Sequence, residues 1–247
     1  MPRFFVSSSA VEASGGRERI RVTGEDAVHI TRALRMRPGE HLTLCDDSGV
    51  EYDTVIFEVG EEVGAEVLAK KPSENEPPYR ATVFQALVKG DRFDTVLMKS
   101  TELGAYRIIP VASARCTVKL DGREGLRKQE RWQRIAAEAA KQCGRALIPE
   151  VTAPVRFDEA LAMAARADLP LFCYEGGGTE PLSRITESAP DPGTVSVVIG
   201  PEGGFEPAEA EAAGRAGLLM TGLGRRILRT ETAAPFVLSC LSFRYEL

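Results

Sequence analysis

Apolar and polar residues alternate over several short stretches near the amino terminus, a pattern typical of half-buried β-strands. This alternation predicts four strands, at residues 19–22, 41–46, 52–59 and 65–69. One helix is predicted between them at residues 25–35, because Arg37-Pro38-Gly39 then ends it. Several short strands in this part of the chain predict a small β-barrel, a fold that does not by itself specify a ligand.

A stretch of prolines and polar residues at 72–78 follows the predicted barrel. Proline lacks the backbone N–H that a helix interior or a central strand requires, so this stretch is expected to be a linker. We therefore predict an amino-terminal domain over residues 1–72, a linker over residues 73–79 and a carboxy-terminal domain over residues 80–247.

Beyond the linker, short apolar stretches alternate with longer amphipathic ones. The apolar stretches predict strands at residues 81–88, 107–112, 169–174 and 195–199. The longer stretches predict helices at residues 93–103, 127–144, 157–167, 207–216 and 232–245. This alternation is typical of an α/β domain whose largely parallel sheet is covered on both faces. Residues 120–125 are expected to form a mobile loop.

The charge is distributed unevenly along the chain. Its 31 basic and 36 acidic side chains give a formal net charge of -5, and an acidic average disfavours a nucleic-acid partner. However, residues 80–145 carry +7, whereas residues 1–72, 73–79 and 146–247 carry -4, -2 and -6. A nucleic acid is therefore expected to contact only a localised basic surface, with a salt-sensitive contribution to its affinity.

The cysteines and histidines disfavour a metal site. Five cysteines lie far apart without a C-x-x-C pair, and His29 and His41 are the only histidines, so zinc is not expected. Unpaired thiols are typical of a reducing cytoplasm, and no local signature supports a Cys–His nucleophile. No stretch approaches the ~20 apolar residues of a membrane span, and the first apolar run is too short for a signal peptide. We predict a cytoplasmic protein without a metal or a membrane partner.

Three loops near the expected carboxyl edge of the sheet are candidate ligand sites, because parallel sheets bind ligands there. They are residues 174–178, 199–205 and 223–233, and their glycines allow close approach of the backbone to a ligand. The chain lacks both the G-x-x-x-x-G-K-[ST] and the dinucleotide G-x-G-x-x-G phosphate motifs. Glu202, Glu206 and Glu209 crowd one predicted helix start, which favours a neutral or cationic ligand over a phosphate.

Ile227 and Leu228 are large apolar residues between Arg226 and Arg229 in the third loop. Two interpretations are open. They either form a buried strand end beside arginines whose charged heads reach water, or they form an apolar floor for a flat ligand next to an anion site.

Two motifs in these loops carry a family resemblance. I-G-P-E-G-G-F at residues 199–205 and L-G-R-R-I-L-R-T-E-T-A at residues 223–233 closely resemble motifs of the small-subunit (16S) ribosomal RNA uridine N3-methyltransferases, which belong to the SPOUT superfamily. H-I-T-R-A-L-R at 29–35, K-S-T-E-L-G at 99–104 and R-W-Q-R-I-A-A-E-A-A-K-Q-C-G-R at 131–145 look like further landmarks of that family. The resemblance spans nearly the whole chain.

The resemblance implies an amino-terminal PUA-like β-barrel for RNA and a carboxy-terminal α/β methyltransferase domain with a deep trefoil knot. It implies S-adenosylmethionine as the cofactor, ribosomal RNA or the small ribosomal subunit as the substrate, a homodimer, and no metal. The implied cofactor-binding residues are Glu175, Gly176, Ile199, Gly200, Glu202, Gly203, Gly204, Leu223, Gly224, Ile227, Leu228, Arg229 and Thr232. For Glu175 and Glu202, capping of a turn is an equal alternative.

Arginines are the candidate catalytic and RNA-binding residues. Arg229, Arg226 and Arg145 are expected to stabilise negative charge that develops on the uridine. The RNA contacts are expected from Arg3, Arg32, Arg35, Arg131, Arg134 and Arg145. Glu231 is either a base or, as is more common for Thr-Glu-Thr at a helix start, part of a cap, so we assign no base.

Two other functions fit the same motifs. One is a knotted methyltransferase that acts on a ribose 2′-hydroxyl, and the other is a non-catalytic RNA-binding protein that retains the fold. The chain departs from the family pattern at Glu206, where a serine or threonine helix cap is common, and a weaker cap is expected there.

Overall fold

The structure is a computed structural model that describes residues 1–14, 16–117 and 122–247. Its internal contacts divide the chain into two compact units. The N unit comprises residues 1–76 and 140–148, and the C unit comprises residues 77–139 and 149–247. Every helix in the described ranges is too short or too polar to cross a lipid bilayer.

Six strands form a curled half-barrel in the N unit. They are β1 (Arg3–Val6), β2 (Val11–Ser14), β3 (Arg17–Val22), β4 (His41–Asp46), β5 (Val50–Val59) and β6 (Val63–Pro72). Their order is β1-β4-β5-β6-β3-β2, in which β1 lies parallel to β4 and the other pairs are antiparallel. The sequence predicted a barrel, but in the described residues the sheet curls without pairing its edge strands β1 and β2.

Alternate side chains of these strands fill one core, as expected for strands with a single buried face. At most 2% of the surface is exposed for Ile20, Val22, Leu42, Leu44 and Ile56. The helix predicted at residues 25–35 is instead α1 (Gly24–Val28) followed by a π-helical turn (His29–Ala33).

Asp46 fixes the turn between β4 and β5, which the sequence signalled by Asp47-Ser48-Gly49. Its carboxylate accepts hydrogen bonds from the backbone N–H groups of Ser48 at 2.9 Å and Val50 at 3.0 Å, and from the Tyr52 hydroxyl at 2.8 Å. Burial alone would raise the pKa of Asp46, but these hydrogen bonds outweigh it and hold that pKa below its ordinary value.

The C unit contains one parallel sheet of eight strands. They are β7 (Arg80–Ala86), β8 (Ala105–Ala112), β9 (Glu150–Val151), β10 (Val155–Arg156), β11 (Leu169–Cys173), β12 (Glu180–Pro181), β13 (Thr194–Ile199) and β14 (Leu219–Gly222). Seven of them follow the order β10-β8-β7-β13-β11-β14-β12, and β9 pairs with β8. The helices are α2 (Arg92–Glu102), α3 (Gly122–Cys143), α4 (Phe157–Ala164), α5 (Leu182–Glu187), α6 (Pro207–Arg215) and α7 (Thr230–Tyr245).

Successive residues of the central strands face opposite sides of this sheet. Val197 belongs to a core that includes Val96 of α2 and Val237 of α7, whereas its neighbour Val198 belongs to a second core with Leu161 of α4. The prediction of a parallel sheet covered on both faces is therefore confirmed. Because both faces are buried, these strands are apolar throughout rather than alternating.

The last residues of α3 and the loop after it complete the N unit. Glu76 accepts hydrogen bonds from the Arg145 guanidinium at 2.6 and 3.2 Å and from the backbone N–H groups of Ala146 at 2.9 Å and Leu147 at 3.0 Å. Only 4% of the Arg145 side chain is exposed. This arrangement, here the Glu76 clamp, joins two segments that are about 70 positions apart in the sequence.

Several short elements were absent from the predictions. They are β1, β2, β9, β10, β12, β14 and α5. The loop predicted at residues 120–125 is wrong for its last four residues, because Gly122 begins α3. Its first two residues lie outside the described part of the chain.

Candidate active site

A cavity of about 460 Å³ lies at the carboxyl edge of the sheet in the C unit, between the loops that follow β11, β13 and β14. We call it the first cavity. Parallel strands present their carboxyl ends at one edge, which is why three loops that are distant in sequence meet there. The predicted site residues that line it are Glu175, Ile199, Gly200, Glu202, Gly204, Leu223, Gly224, Arg226, Ile227, Leu228 and Arg229.

Glycine is required at the wall of this cavity. Gly204 has a φ of +68°, a conformation that L side chains rarely adopt, and a Cβ on it would lie 2.0 Å from the Glu175 carboxylate. A Cβ on Gly200 would lie 3.2 Å from the Phe205 ring. The loop after β13 therefore packs closely against its own Phe205 and against Glu175 of the loop after β11.

Three predicted cofactor residues do not line the first cavity. Gly176 lies against Tyr174, whose ring would be 2.2 Å from an added Cβ. The carbonyl of Gly203 accepts a hydrogen bond from Arg115 at 2.8 Å. Thr232 lies in the first turn of α7, where its N–H donates to the Arg229 carbonyl at 2.8 Å.

The structure distinguishes between the two interpretations of Ile227 and Leu228 in the third loop. Residues 223–229 form no strand, and Ile227 is 86% exposed at the cavity. Leu228 lines the cavity as well and packs partly against the core. The buried-strand interpretation is wrong, and both side chains present apolar surface to the cavity, while a role as the floor of a ligand site stays a prediction.

A buried hydrogen-bond chain supports the cavity from below. Gln85 at the end of β7 is fully buried, and its Nε2 donates to the Thr230 hydroxyl at 2.8 Å. That hydroxyl in turn donates to the Gly200 carbonyl at 2.6 Å. Sequence reasoning missed Gln85 and Thr230, although a glutamine within an apolar strand is a detectable signal, because buried polar groups need partners.

The three acids near the start of α6 are not left as an uncompensated cluster. Glu202 accepts a hydrogen bond from Arg92 at 2.7 Å, and Glu206 lies 3.8 Å from Arg115. Glu209 turns back to accept from the backbone N–H groups of Ala114 at 2.8 Å and Glu206 at 2.9 Å. The weak cap expected at Glu206 is thus compensated by Glu209, and each of the three carboxylates has a basic or an N–H partner.

The predicted arginines differ in availability. Arg226 and Arg229 are exposed at the first cavity, with 82% of the Arg229 side chain accessible. Arg145 does not line the cavity, and its guanidinium is held in the Glu76 clamp with only 4% exposed. The expectation that Arg145 meets the substrate or RNA is therefore corrected, because a buried and paired guanidinium cannot reach an external ligand.

The predicted RNA contacts also separate into paired and free groups. Arg3 is 16% exposed and donates to Glu51 at 3.0 Å, so it stabilises the sheet of the N unit. Arg131 is exposed and pairs with Asp94, and Arg134 is exposed and donates to a carbonyl of its own helix. Arg32 and Arg35 are exposed and form no ion pair with any residue in the described ranges.

One cysteine lies at the first cavity. Cys173 borders the first cavity, but burial raises the pKa of its thiol to about 12, so it is protonated at neutral pH and a poor nucleophile. Among the residues that the structure describes, no three His, Cys, Asp or Glu side chains are arranged to hold a metal ion.

Comparisons with known proteins agree with this architecture. Residues 75–242 match the family model described as "RNA methyltransferase domain", and residues 22–62 match "RNA methyltransferase PUA domain". Ribosomal RNA small subunit methyltransferase E of Bacillus subtilis is 36% identical, and the alignment covers 92% of this chain and 90% of that protein. The protein of the same name from Mycobacterium bovis is 33% identical, with coverage of 89% and 84%.

A solved structure supports the same similarity. Ribosomal RNA small subunit methyltransferase E of Neisseria gonorrhoeae, bound to S-adenosyl methionine, superposes with a TM-score of 0.83 at 31% identity. The superposition covers 98% of this chain and 97% of that protein.

Proposed function

The chain belongs to the family of ribosomal RNA small subunit methyltransferase E proteins, and from this membership we propose that it methylates N3 of a uridine in small-subunit ribosomal RNA. S-adenosylmethionine is the proposed methyl donor. The observation that carries the proposal is the first cavity, with its glycine-containing loops at one sheet edge, its apolar Ile227 and Leu228 and its exposed arginines, which include Arg226 and Arg229.

The first cavity suits S-adenosylmethionine in size and in chemistry. About 460 Å³ lies within the ~300–1,000 Å³ of typical small-molecule sites. Ile227 and Leu228 offer apolar surface to the adenine, and the absence of a side chain at Gly204 lets the Glu175 carboxylate pack against the loop at the cavity wall. When bound, the cofactor supplies a methyl group on a positively charged sulfur, and this charge does not require a phosphate cradle.

We assign the proposed roles by position. The loop residues that line the first cavity bind the cofactor, while Gly176, Gly203 and Thr232 act by shaping the three loops. Arg226 and Arg229 stabilise the negative charge that develops on the uracil as N3 loses its proton. Alignment of N3 with the methyl group supplies much of the rate, since a fixed geometry replaces a random encounter.

Family membership also supports three larger proposals. The C unit contains a deep trefoil knot, the protein acts as a homodimer without a metal, and it works in the cytoplasm, where ribosome biogenesis takes place. The N unit, which includes the PUA match, contacts RNA. Arg32 and Arg35 are its candidate phosphate ligands because both are exposed and unpaired in the described residues.

The function is tested with the purified protein, methyl-labelled S-adenosylmethionine, and either naked small-subunit ribosomal RNA or assembled small subunits. We expect label in one or both substrates and N3-methyluridine on nucleoside mass spectrometry. A 2′-O-methylated nucleoside would replace the proposal by a ribose methyltransferase. Calorimetry without any cofactor binding would favour a non-catalytic RNA-binding protein.

Replacing Arg229 with alanine is expected to lower the rate of methyl transfer about tenfold or more, because an exposed cavity arginine stabilises developing charge. Single-turnover rates with saturating RNA and cofactor give the measurement. The matched control is Arg215→Ala on α6, whose side chain is 71% exposed and pairs with Glu211 at 3.7 Å. Equal rates for the two variants would remove Arg229 from the proposed mechanism.

A further inference from the structure

A second cavity of about 460 Å³ adjoins the first in the C unit. It is formed by the loop after β7 and the beginnings of α2 and α7, and its lining residues are Lys89, Gly90, Asp91, Arg92, Thr95 and Glu231. Arg92 and Glu231 line both cavities. The two cavities therefore meet at these two side chains, which is where a methyl donor and its acceptor would have to face each other.

Glu231 is the group at this junction whose hydrogen-bonding capacity is free. Only 19% of its side chain is exposed, and its carboxylate accepts no hydrogen bond from any residue that the structure describes. The closest cation is the Arg229 guanidinium, at 4.0 Å. Arg92, by contrast, is engaged with Glu202 at 2.7 Å.

The structure does not show the helix cap that the sequence suggested for the Thr-Glu-Thr segment at residues 230–232. The Thr230 hydroxyl donates to the Gly200 carbonyl, and Glu231 takes no backbone N–H of α7. The Glu231 side chain is four-fifths buried, and its carboxylate has no hydrogen-bond partner in the described chain. Such a group is costly to keep, and a ligand N–H would satisfy it.

The rim of the second cavity carries a free cation, Lys89, together with the exposed carboxylate of Asp91. Lys89 is exposed, and its ammonium forms no ion pair within the described residues. Gly90 beside it has a φ of +64° and open space where a Cβ would be. A free cation at the rim and a free carboxylate in the wall are complementary to a nucleotide, which has a phosphate at one end and an imide N–H at the other.

We propose that the second cavity holds the target uridine, that Lys89 contacts an adjacent backbone phosphate, and that the Glu231 carboxylate accepts the proton of N3. This inference rests on the proposed function and adds the substrate site and the base to it. A base within paired or stacked RNA cannot enter a cavity of this kind, so the uridine leaves the stack to bind.

The transfer balances without a further reactant. The lone pair of N3 forms the bond to the methyl carbon, and the electron pair of the broken C–S bond stays on sulfur. The N3–H bond breaks towards a Glu231 oxygen, which becomes a carboxylic acid and then releases its proton to water. N3 becomes more acidic as its bond to the methyl carbon forms. A carboxylate can therefore act as the base if it takes the proton during this bond formation.

The test is Glu231→Gln, which preserves the size of the side chain and removes its basicity. We expect single-turnover methylation of small-subunit ribosomal RNA to fall ~10²- to 10⁴-fold near neutral pH. The ratio of wild-type to variant rates is expected to shrink as the pH rises, because N3 ionises in alkali without a base. A merely structural role would leave that ratio unchanged with pH.

The controls separate this inference from the function on which it rests. Glu211→Gln, on the exposed face of α6, is expected to match the wild type, and calorimetry with S-adenosylmethionine is expected to give similar affinities for all three proteins. An inactive wild type would refute the proposed function. An active wild type with an equally active Glu231→Gln variant, or with a defect independent of pH, would refute the role of Glu231.

The variant Lys89→Met tests the proposal by RNA binding instead of by catalysis. It is therefore informative even if Glu231→Gln fails to bind the cofactor. Its affinity for small-subunit ribosomal RNA, measured without S-adenosylmethionine, is expected to fall, and the slope of log affinity against log salt is expected to decrease by about 1. Unchanged RNA affinity and salt slope would exclude the second cavity as the nucleotide site.

Discussion

Replacing Glu76 with alanine is expected to lower the free energy of unfolding of the N unit by about 3–5 kcal/mol. The Glu76 carboxylate binds the guanidinium of Arg145 and two backbone N–H groups. Alanine leaves a cation that is 4% exposed without this partner, together with two donors that lose their acceptor. Breaking one side of a buried ion pair costs far more than losing a surface pair, because the remaining charge stays desolvated.

Urea unfolding, followed by hydrogen exchange of amides in β4 and β5, measures this effect in the unit concerned. Glu74→Ala is the matched control, because its side chain is 82% exposed and pairs with Lys71 at 3.6 Å, and a shift within about 0.5 kcal/mol is expected. The double variant Glu76→Leu with Arg145→Met is expected to recover part of the loss. A Glu76→Ala variant as stable as Glu74→Ala would show that the clamp does not stabilise the unit.

The clamp also explains why the role of Arg145 was not predictable. The sequence places Arg145 at the end of a helix rich in arginine, which is typical of an exposed basic face. Its partner lies in the segment predicted as a linker, and no local pattern connects the two. Such a contact depends on tertiary packing, whereas sequence patterns report mainly local geometry.

Several elements of six or more residues were predictable because such lengths are enough for a pattern to repeat. The strand His41–Asp46 has the predicted bounds, and the starts of α2, α4 and α6 lie within one residue of those predicted. By contrast, β9, β10 and β12 have two residues each, too few for any periodicity. These strands are defined by the neighbours to which they pair, so the sequence offers no local sign of them.

The part of the candidate site that the three loops form could be predicted from the sequence. Glycine-containing loops after parallel strands meet at one sheet edge, so the positions of the three loops followed from the strand assignments. The second cavity could not be predicted in this way. Its residues come from the loop after β7, which has no glycine-rich motif, and from Glu231, about 140 positions later. The shared surface of two cavities exists only in the folded chain.

Replacing Thr230 with valine is expected to weaken binding of S-adenosylmethionine about 5- to 150-fold. Valine keeps the shape of threonine but removes the hydroxyl that joins Gln85 to the Gly200 carbonyl. Loss of one partner of a buried hydrogen bond costs about 1–3 kcal/mol, which corresponds to that range in affinity. Because Gly200 lines the first cavity, the loop that we propose to bind the cofactor would lose its fixed geometry.

Calorimetry with S-adenosylmethionine measures the affinity, and thermal unfolding measures the stability of the same samples. Thr230→Ser retains the hydroxyl and is expected to bind S-adenosylmethionine within about threefold of the wild-type affinity.

Thr186→Val is the matched control, because the buried Thr186 hydroxyl donates to carbonyls of its own helix, at 3.1 and 2.9 Å. This variant is expected to be less stable and to bind the cofactor with unchanged affinity. Equal cofactor affinity for Thr230→Val and Thr186→Val would mean that the Gln85–Thr230–Gly200 chain supports the core alone. A selective loss in Thr230→Val, restored in Thr230→Ser, would connect a fully buried glutamine in the central sheet to the cofactor through a single hydroxyl group.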